Sequence, residues 1–188
     1  EQFRESAEWG LLAASIGSQA NVHYARGELG EALALHQEGA RLCREMGLEG
    51  GLALSLVNQA VVWFDRGDLD AADRLYGEAE SLFRRQVQSE LDDLKPTYRR
   101  GLAKALTGQA NVRRARGDPA RALGLHEEAV RLCRQLGHPV ELAVSLTNQG
   151  NTLFAHGDLE GAWALYTEGE QIFRQLGDKA WLGNAISN

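Results

Sequence analysis

SQANVHYARGELGEALALHQEGARLCREMG, Ser18 to Gly47, returns ninety residues later as GQANVRRARGDPARALGLHEEAVRLCRQLG, Gly108 to Gly137, with seventeen of thirty positions identical. A repeat of this length governs the whole fold, because one unit cannot bury its own apolar face and must stack on its neighbours. Two further copies lie around the second: VNQAVVWFDRGDLDAADRLYGEAESLFRR from Val57 and TNQGNTLFAHGDLEGAWALYTEGEQIFRQLG from Thr147. The glycines Gly27, Gly67, Gly117 and Gly157 are spaced 40, 50 and 40 residues apart, so the unit is about 40 residues with one insertion of ten.

Each unit has two stretches with apolar residues at helical period, separated by Gly-Asp or Gly-Glu. Glycine accepts the left-handed backbone just past a helix end, and the following Asp68, Asp118 or Asp158 can cap the next helix. Pro119 fits the first helical position, where the missing N–H costs nothing. Second helices are punctuated at Gly47, Gly137 and Gly177. Alanine, leucine, glutamate and arginine dominate, which are good helix formers, and only three prolines occur. An all-α fold follows.

Small residues recur where helices must approach closely. Ala20, Ala60, Ala110 and Gly150 hold one position of the first helix, and Ala32, Ala72, Ala122 and Ala162 one position of the second. After them come His36, Tyr76, His126 and Tyr166, then Gly39, Ala79, Ala129 and Gly169. This joint pattern resembles the tetratricopeptide repeat, in the longer subtype found in multidomain bacterial regulators and kinesin light chains. Gln19, Gln59, Gln109 and Gln149 depart from it, standing where the family usually has leucine.

The resemblance implies an all-α solenoid of stacked antiparallel helix pairs in a right-handed superhelix. It covers residues 1–188 as one array, with units at about 9–47, 50–95, 97–137 and 139–177. Residues 178–188 read as the start of a further repeat, and Glu1 to Glu5 as the end of a preceding second helix, so the expectation is a fragment of a longer protein. The insertion QVQSELDDLKP, after Arg85, reads as a prolonged second helix carried by Val87, Leu91 and Leu94, broken before Pro96. Halves 1–95 and 96–188 are expected to stack at an altered angle across it.

In this family the first helices line a concave face on which ligands lie extended. Carried across by position, the ligand-facing residues are Asn21 and Tyr24, then Val57 and Phe64, then Lys104, Thr107, Asn111 and Arg114, then Thr147, Asn151 and Phe154. Asparagine recurs in three of four units, and its side-chain amide both donates and accepts, as a peptide backbone does. Val61 takes its place in the second unit. Alternatively, the asparagines bond a neighbouring helix or water.

Between Lys95 and Arg121 eight basic residues face one acid, Asp118, in a chain of formal charge -6. Arg100, Lys104, Thr107, Asn111 and Arg114 fall at helical intervals that share one face. Such a stripe resembles the clamps by which some family members hold a peptide's carboxylates, and arginine can bind a carboxylate bidentately. The competing reading is a solvated face, partly neutralised by Glu90, Asp92 and Asp93, where each pair is worth about 0–1 kcal/mol.

Other chemistry finds little support. His36 with Cys43, and His126 with Cys133, supply two ligands each where zinc needs three or four, and sister units fill these positions with core residues. Arg66-Gly67-Asp68 and Arg116-Gly117-Asp118 are repeat turns rather than adhesion signals. The chain carries no phosphate-binding glycine loop, nucleophile elbow or H-E-x-x-H. No enzyme activity, metal or cofactor is expected. Two cysteines are too few for a disulfide framework, and the chain has no spanning apolar run or signal-peptide layout, which favours a cytoplasmic setting. The net negative charge argues against nucleic acid or anionic membranes as partners. The leading expectation is a scaffold or regulatory module that binds a protein or peptide, with acidic or C-terminal carboxylate groups as its target. The alternative is a self-association element forming a homo-oligomer, and a third reading is a sensor of small ligands or metals.

Overall fold

The computed structural model describes residues 2–88 and 95–177, with side chains from residue 8 onward. These residues form eight α-helices and no strand. The helices are α1 (Gln2–Ala25), α2 (Leu29–Glu45), α3 (Glu49–Asp65), α4 (Leu69–Gln88), α5 (Lys95–Ala115), α6 (Pro119–Leu136), α7 (Pro139–His156) and α8 (Leu159–Leu176). Two compact units result, Glu1–Gly108 and Gln109–Asn188, and α5 contributes to both. The fold is an all-α helical repeat of the solenoid class.

The turns form for the reasons visible in the sequence. Gly117 adopts φ +78°, a conformation strained for any residue with a Cβ, and the other turn glycines share it. Beyond it, the Asp118 carboxylate accepts from the Arg121 amide at 3.2 Å, and Pro119 opens α6. Asp68 and Asp158 cap α4 and α8 in the same way, accepting from Ala71 N and Gly161 N at 2.9 Å each. Glu28 gives α2 no side-chain cap; its carboxylate is bound instead to His23.

In the first unit α1 packs on α2, α2 on α3 and α3 on α4. Ala20, Ala32, Ala53, Ala60, Ala72 and Ala79 are completely buried, so a larger side chain at any of them would separate two helices. Ala32 and Leu33 of α2 form one cluster with Val62 of α3, and Leu29 and Trp63 close around it. Glycines receive large neighbours: Phe83 lies against Gly101, and Tyr76 against Gly108, so that a Cβ at either glycine would run into the ring. Gln59, at the position where leucine was expected, is buried, and its Nε2 donates to the His36 carbonyl at 3.2 Å. A hydrogen bond across two repeats thus replaces the apolar contact.

The second unit packs α6 on α7 and α7 on α8. Ala143 and Phe173 centre one cluster, with Val140, Val144 and Ile172 around it. Leu146, Thr152, Ala122, Ala129 and Cys133 are also buried. Gly150 lies directly under the Tyr166 ring, the close approach that explains a glycine where the other units have alanine.

Two expectations meet the structure differently, and a third falls partly outside the described residues. Residues 2–8 are the first turns of an unbroken α1 rather than the tail of an earlier helix, because nothing between Phe3 and Trp9 breaks a helix. The second helix of the second repeat, α4, runs from Leu69 to Gln88; Leu91, Leu94, Glu90, Asp92 and Asp93 lie outside the described residues, as do 178–188. Pro96 does not end helix at Lys95. It occupies the first turn of α5, where an absent N–H is tolerated.

Candidate functional site

The expected ligand-facing residues divide between the two units. In the first, Asn21, Arg100 and Lys104 are exposed, and Tyr24, Phe64 and Thr107 are half-buried. Val57 is a correction: it is 5% exposed and belongs to the core, because α3 is covered on more than one side by α2 and α4. Tyr24 is engaged as well. Its hydroxyl donates to the Asp65 carboxylate of α3, and that bond, with burial adding to it, pushes the phenol pKa up to about 12. Asp65 has no counterpart in the other copies, which carry Ala25, Ala115 and Ala155 there. The Arg66 guanidinium lies 5.4 Å above the Trp63 ring, close enough for a cation–π contact.

In the second unit Asn111, Arg114 and Asn151 are half-buried and Phe154 is exposed. Asn151 is not a free amide, since its Oδ1 accepts from the Tyr166 hydroxyl at 2.7 Å. Thr147 donates to the Ala143 carbonyl of its own helix at 2.9 Å. The Arg114 Nε is buried and meets no acceptor from the protein. Its charge is felt by two neighbours, holding the His126 pKa down and working against the burial that raises Tyr166. Arg114, Asn151, Tyr166 and His126 are thus the polar groups of one region.

His126 is fully buried, and neither ring nitrogen has a partner. Burial first, and the Arg114 charge second, bring its pKa down to about 4, so the ring is neutral near pH 7. His36 is its repeat equivalent, likewise buried and lowered by desolvation. Cys43 and Cys133 are buried with raised pKa values, chiefly by desolvation, which leaves them as thiols. Among the described residues no three His, Cys, Asp or Glu side chains gather where they could hold a metal ion, and no helix is long and apolar enough to cross a membrane.

Tyr166, His126 and Asp65 are the participants that sequence reasoning placed elsewhere or passed over. The first two come from second helices, whose positions read as core, and Asp65 breaks the repeat rather than following it. That break was a signal available in the sequence: a charged residue replacing alanine at one copy of a repeated position.

Comparison with known proteins agrees with this architecture. Models of the tetratricopeptide repeat match residues 12–46 and 101–175. No curated protein matches the chain in sequence. Among solved structures, BtubC (BKLC) from P. vanneervenii is 22% identical with a TM-score of 0.70, over 89% of this chain and 65% of that one. Aspartyl phosphate phosphatase F from Bacillus subtilis is 12% identical with a TM-score of 0.78, over 94% and 44%. A Podosopora anserina protein described as a kinesin light chain, with nearly identical TPR-like repeats, is 17% identical with a TM-score of 0.58, over 88% and 76%. The chain therefore spans less than two thirds of the length of the first two, and these likenesses establish fold alone. With four helix pairs among the described residues, small residues at their crossings and two matching family models, the chain belongs to the tetratricopeptide repeat family, whose members are protein-interaction scaffolds.

Proposed function

We propose that the chain is a cytoplasmic recognition module without catalytic activity, and that it binds a protein or peptide through acidic side chains or a C-terminal carboxylate. The observation that carries this reading is Arg114, half-buried on a first helix and left without an acceptor at Nε. A cationic donor withdrawn from water and not hydrogen-bonded is costly, and an arriving carboxylate offsets that cost. Asn111 sits one turn before it on α5, and Asn151 and Phe154 of α7 add a polar and an apolar contact within the second unit. Arg100, Lys104 and Thr107 precede them along α5, and Asn21, Tyr24 and Phe64 hold the corresponding first-helix positions in the first unit.

Titration of labelled acidic peptides ending in a free carboxylate, followed by fluorescence anisotropy, tests the reading. Arg114→Glu and Lys104→Glu are expected to weaken binding at least about tenfold, the scale of losing one charge-assisted contact. Arg121→Glu, on α6 beside Asp118, is expected to change it little. Equal binding of amidated, basic and acidic peptides, or wild-type affinity in both α5 variants, would end this proposal.

A further inference from the structure

Asp65 is the last residue of α3, and the equivalent positions of the other repeats hold Ala25, Ala115 and Ala155. A carboxylate there opposes the helix dipole, whose C-terminal end is already negative, and α3 has no basic residue in its last turn to relieve it. Its bond is to the Tyr24 hydroxyl, a neutral donor. Arg66, next in the chain, lies over the Trp63 ring instead. A tie between α1 and α3 needs an acceptor and not a charge, and the other repeats carry neither at this position. The charge of Asp65 is therefore unfavourable in the folded protein by itself, and a cation brought by a partner would relieve it.

The side of α3 that leads to Asp65 is also particular to this repeat. Leu54, Val61 and Asp65 fall at i, i+7 and i+11 and share one face. Leu54 is 42% exposed and Val61 is half-buried. The repeats on either side place Ala14 and Lys104 at the first of these positions, and Asn21 and Asn111 at the second. Val61 stands one turn, about 6 Å, before Asp65, a distance that a lysine side chain spans. An apolar stripe ending in a carboxylate suits lysine, whose four-carbon stem lies along apolar surface and whose ammonium pairs with an anion.

The second unit supplies the contrast. There Tyr166 donates to Asn151 and has the Arg114 charge near it. Tyr76, the equivalent of Tyr166 in the first unit, has Val61 in place of Asn151, so the same bond cannot form. Burial first, and the Asp65 charge second, hold its phenol above the usual value. One repeat frame thus sets a cation beside its tyrosine in one unit and an anion in the other.

We propose that the Leu54, Val61 and Asp65 face of α3, with Tyr24 of α1 bonded to it, binds a lysine side chain of the partner. The ammonium donates to the Asp65 carboxylate, which keeps acceptor capacity beyond the Tyr24 bond, and the stem lies along Val61 and Leu54. This inference rests on the reading of the chain as a peptide-binding module, and not on its carboxylate site.

A peptide of lysines spaced by glycine and serine, acetylated and amidated at its ends and carrying an uncharged dye, offers ammonium groups and no carboxylate. Its twin with every Nζ acetylated keeps the length and loses the charge. In anisotropy titrations the wild type is expected to bind the lysine peptide at least about tenfold more tightly than the twin, and Asp65→Asn to lose that preference. Asp65→Asn keeps an oxygen for Tyr24, and Asp65→Ala installs the residue of the other repeats, so both should retain wild-type circular dichroism and behave alike. Glu38→Gln removes an exposed acid of α2 and should leave the preference intact, which separates local recognition from general attraction to an acidic chain. Equal binding of the two peptides, an undiminished preference in Asp65→Asn, or the same loss in Glu38→Gln would each overturn the inference. Acidic peptides that still bind through Arg114 would then leave the proposed function standing. Lysine binding that depends on Asp65, with no binding of acidic peptides, would remove the carboxylate site and uphold this one.

Discussion

His126 couples the buried core to solution pH. The folded protein keeps the ring neutral down to about pH 4, while the unfolded chain takes up a proton near the ordinary value of 6.5. As pH falls below 6.5 the unfolded state gains protons that the folded state refuses, so stability is lost between pH 6.5 and about 4 and the loss levels off below that. At pH 5 the expected loss is about 2 kcal/mol from this residue. Denaturant unfolding at pH 7 and pH 5 measures it: His126→Phe should narrow the difference between the two pH values by about that amount. An unaltered pH dependence would show that the folded protein accommodates the charged ring. At this scale the sequence was informative about residue type and silent about partners. Tyr24 meets Asp65 forty-one positions away, and Asn151 meets Tyr166, and neither bond follows from the repeat period.

Elements are held by their ends and by the glycines at their crossings. Asp118→Ala and Asp158→Ala each remove the acceptor for a first-turn amide, so each should cost about 1 kcal/mol in chemical denaturation. Glu28→Ala removes no cap from α2 and should cost measurably less. Two glycines within helices make a sharper contrast. A Cβ at Gly124 would meet nothing within 4 Å, so Gly124→Ala should stabilise α6 by about 0.5–1 kcal/mol. At Gly108 the same Cβ would enter the Tyr76 ring, so Gly108→Ala should destabilise by about 1–3 kcal/mol. If both alanine variants moved melting temperature in the same direction, the packing of Tyr76 against α5 would be wrong. Turn glycines and caps were legible beforehand because they are local. Which helical glycine sits beneath a ring was not, because that depends on a neighbour thirty-two residues away.

For the whole molecule, stability in a repeat series is nearly a sum of units and the interfaces between neighbours, so helices covered on one side open first. α3 lies between α2 and α4, whereas α1 and α8 each expose an apolar face. Amide hydrogen exchange should therefore be slowest in α3 and faster in α1 and α8. Uniform protection across all eight helices would contradict this ordering.

The sequence by itself determined the repeat, the number of helix pairs, the turns and the small residues at helix crossings, because periodicity and capping act over a few positions and recur in every copy. It did not determine which equivalent positions are equivalent in environment. Val57 carried a ligand-facing position by alignment, yet it is core; Val22 carried a core position, yet it faces outward. Only tertiary structure decides such cases, since burial depends on which helix lies on the other side, and a repeated residue does not itself encode the presence of a neighbour.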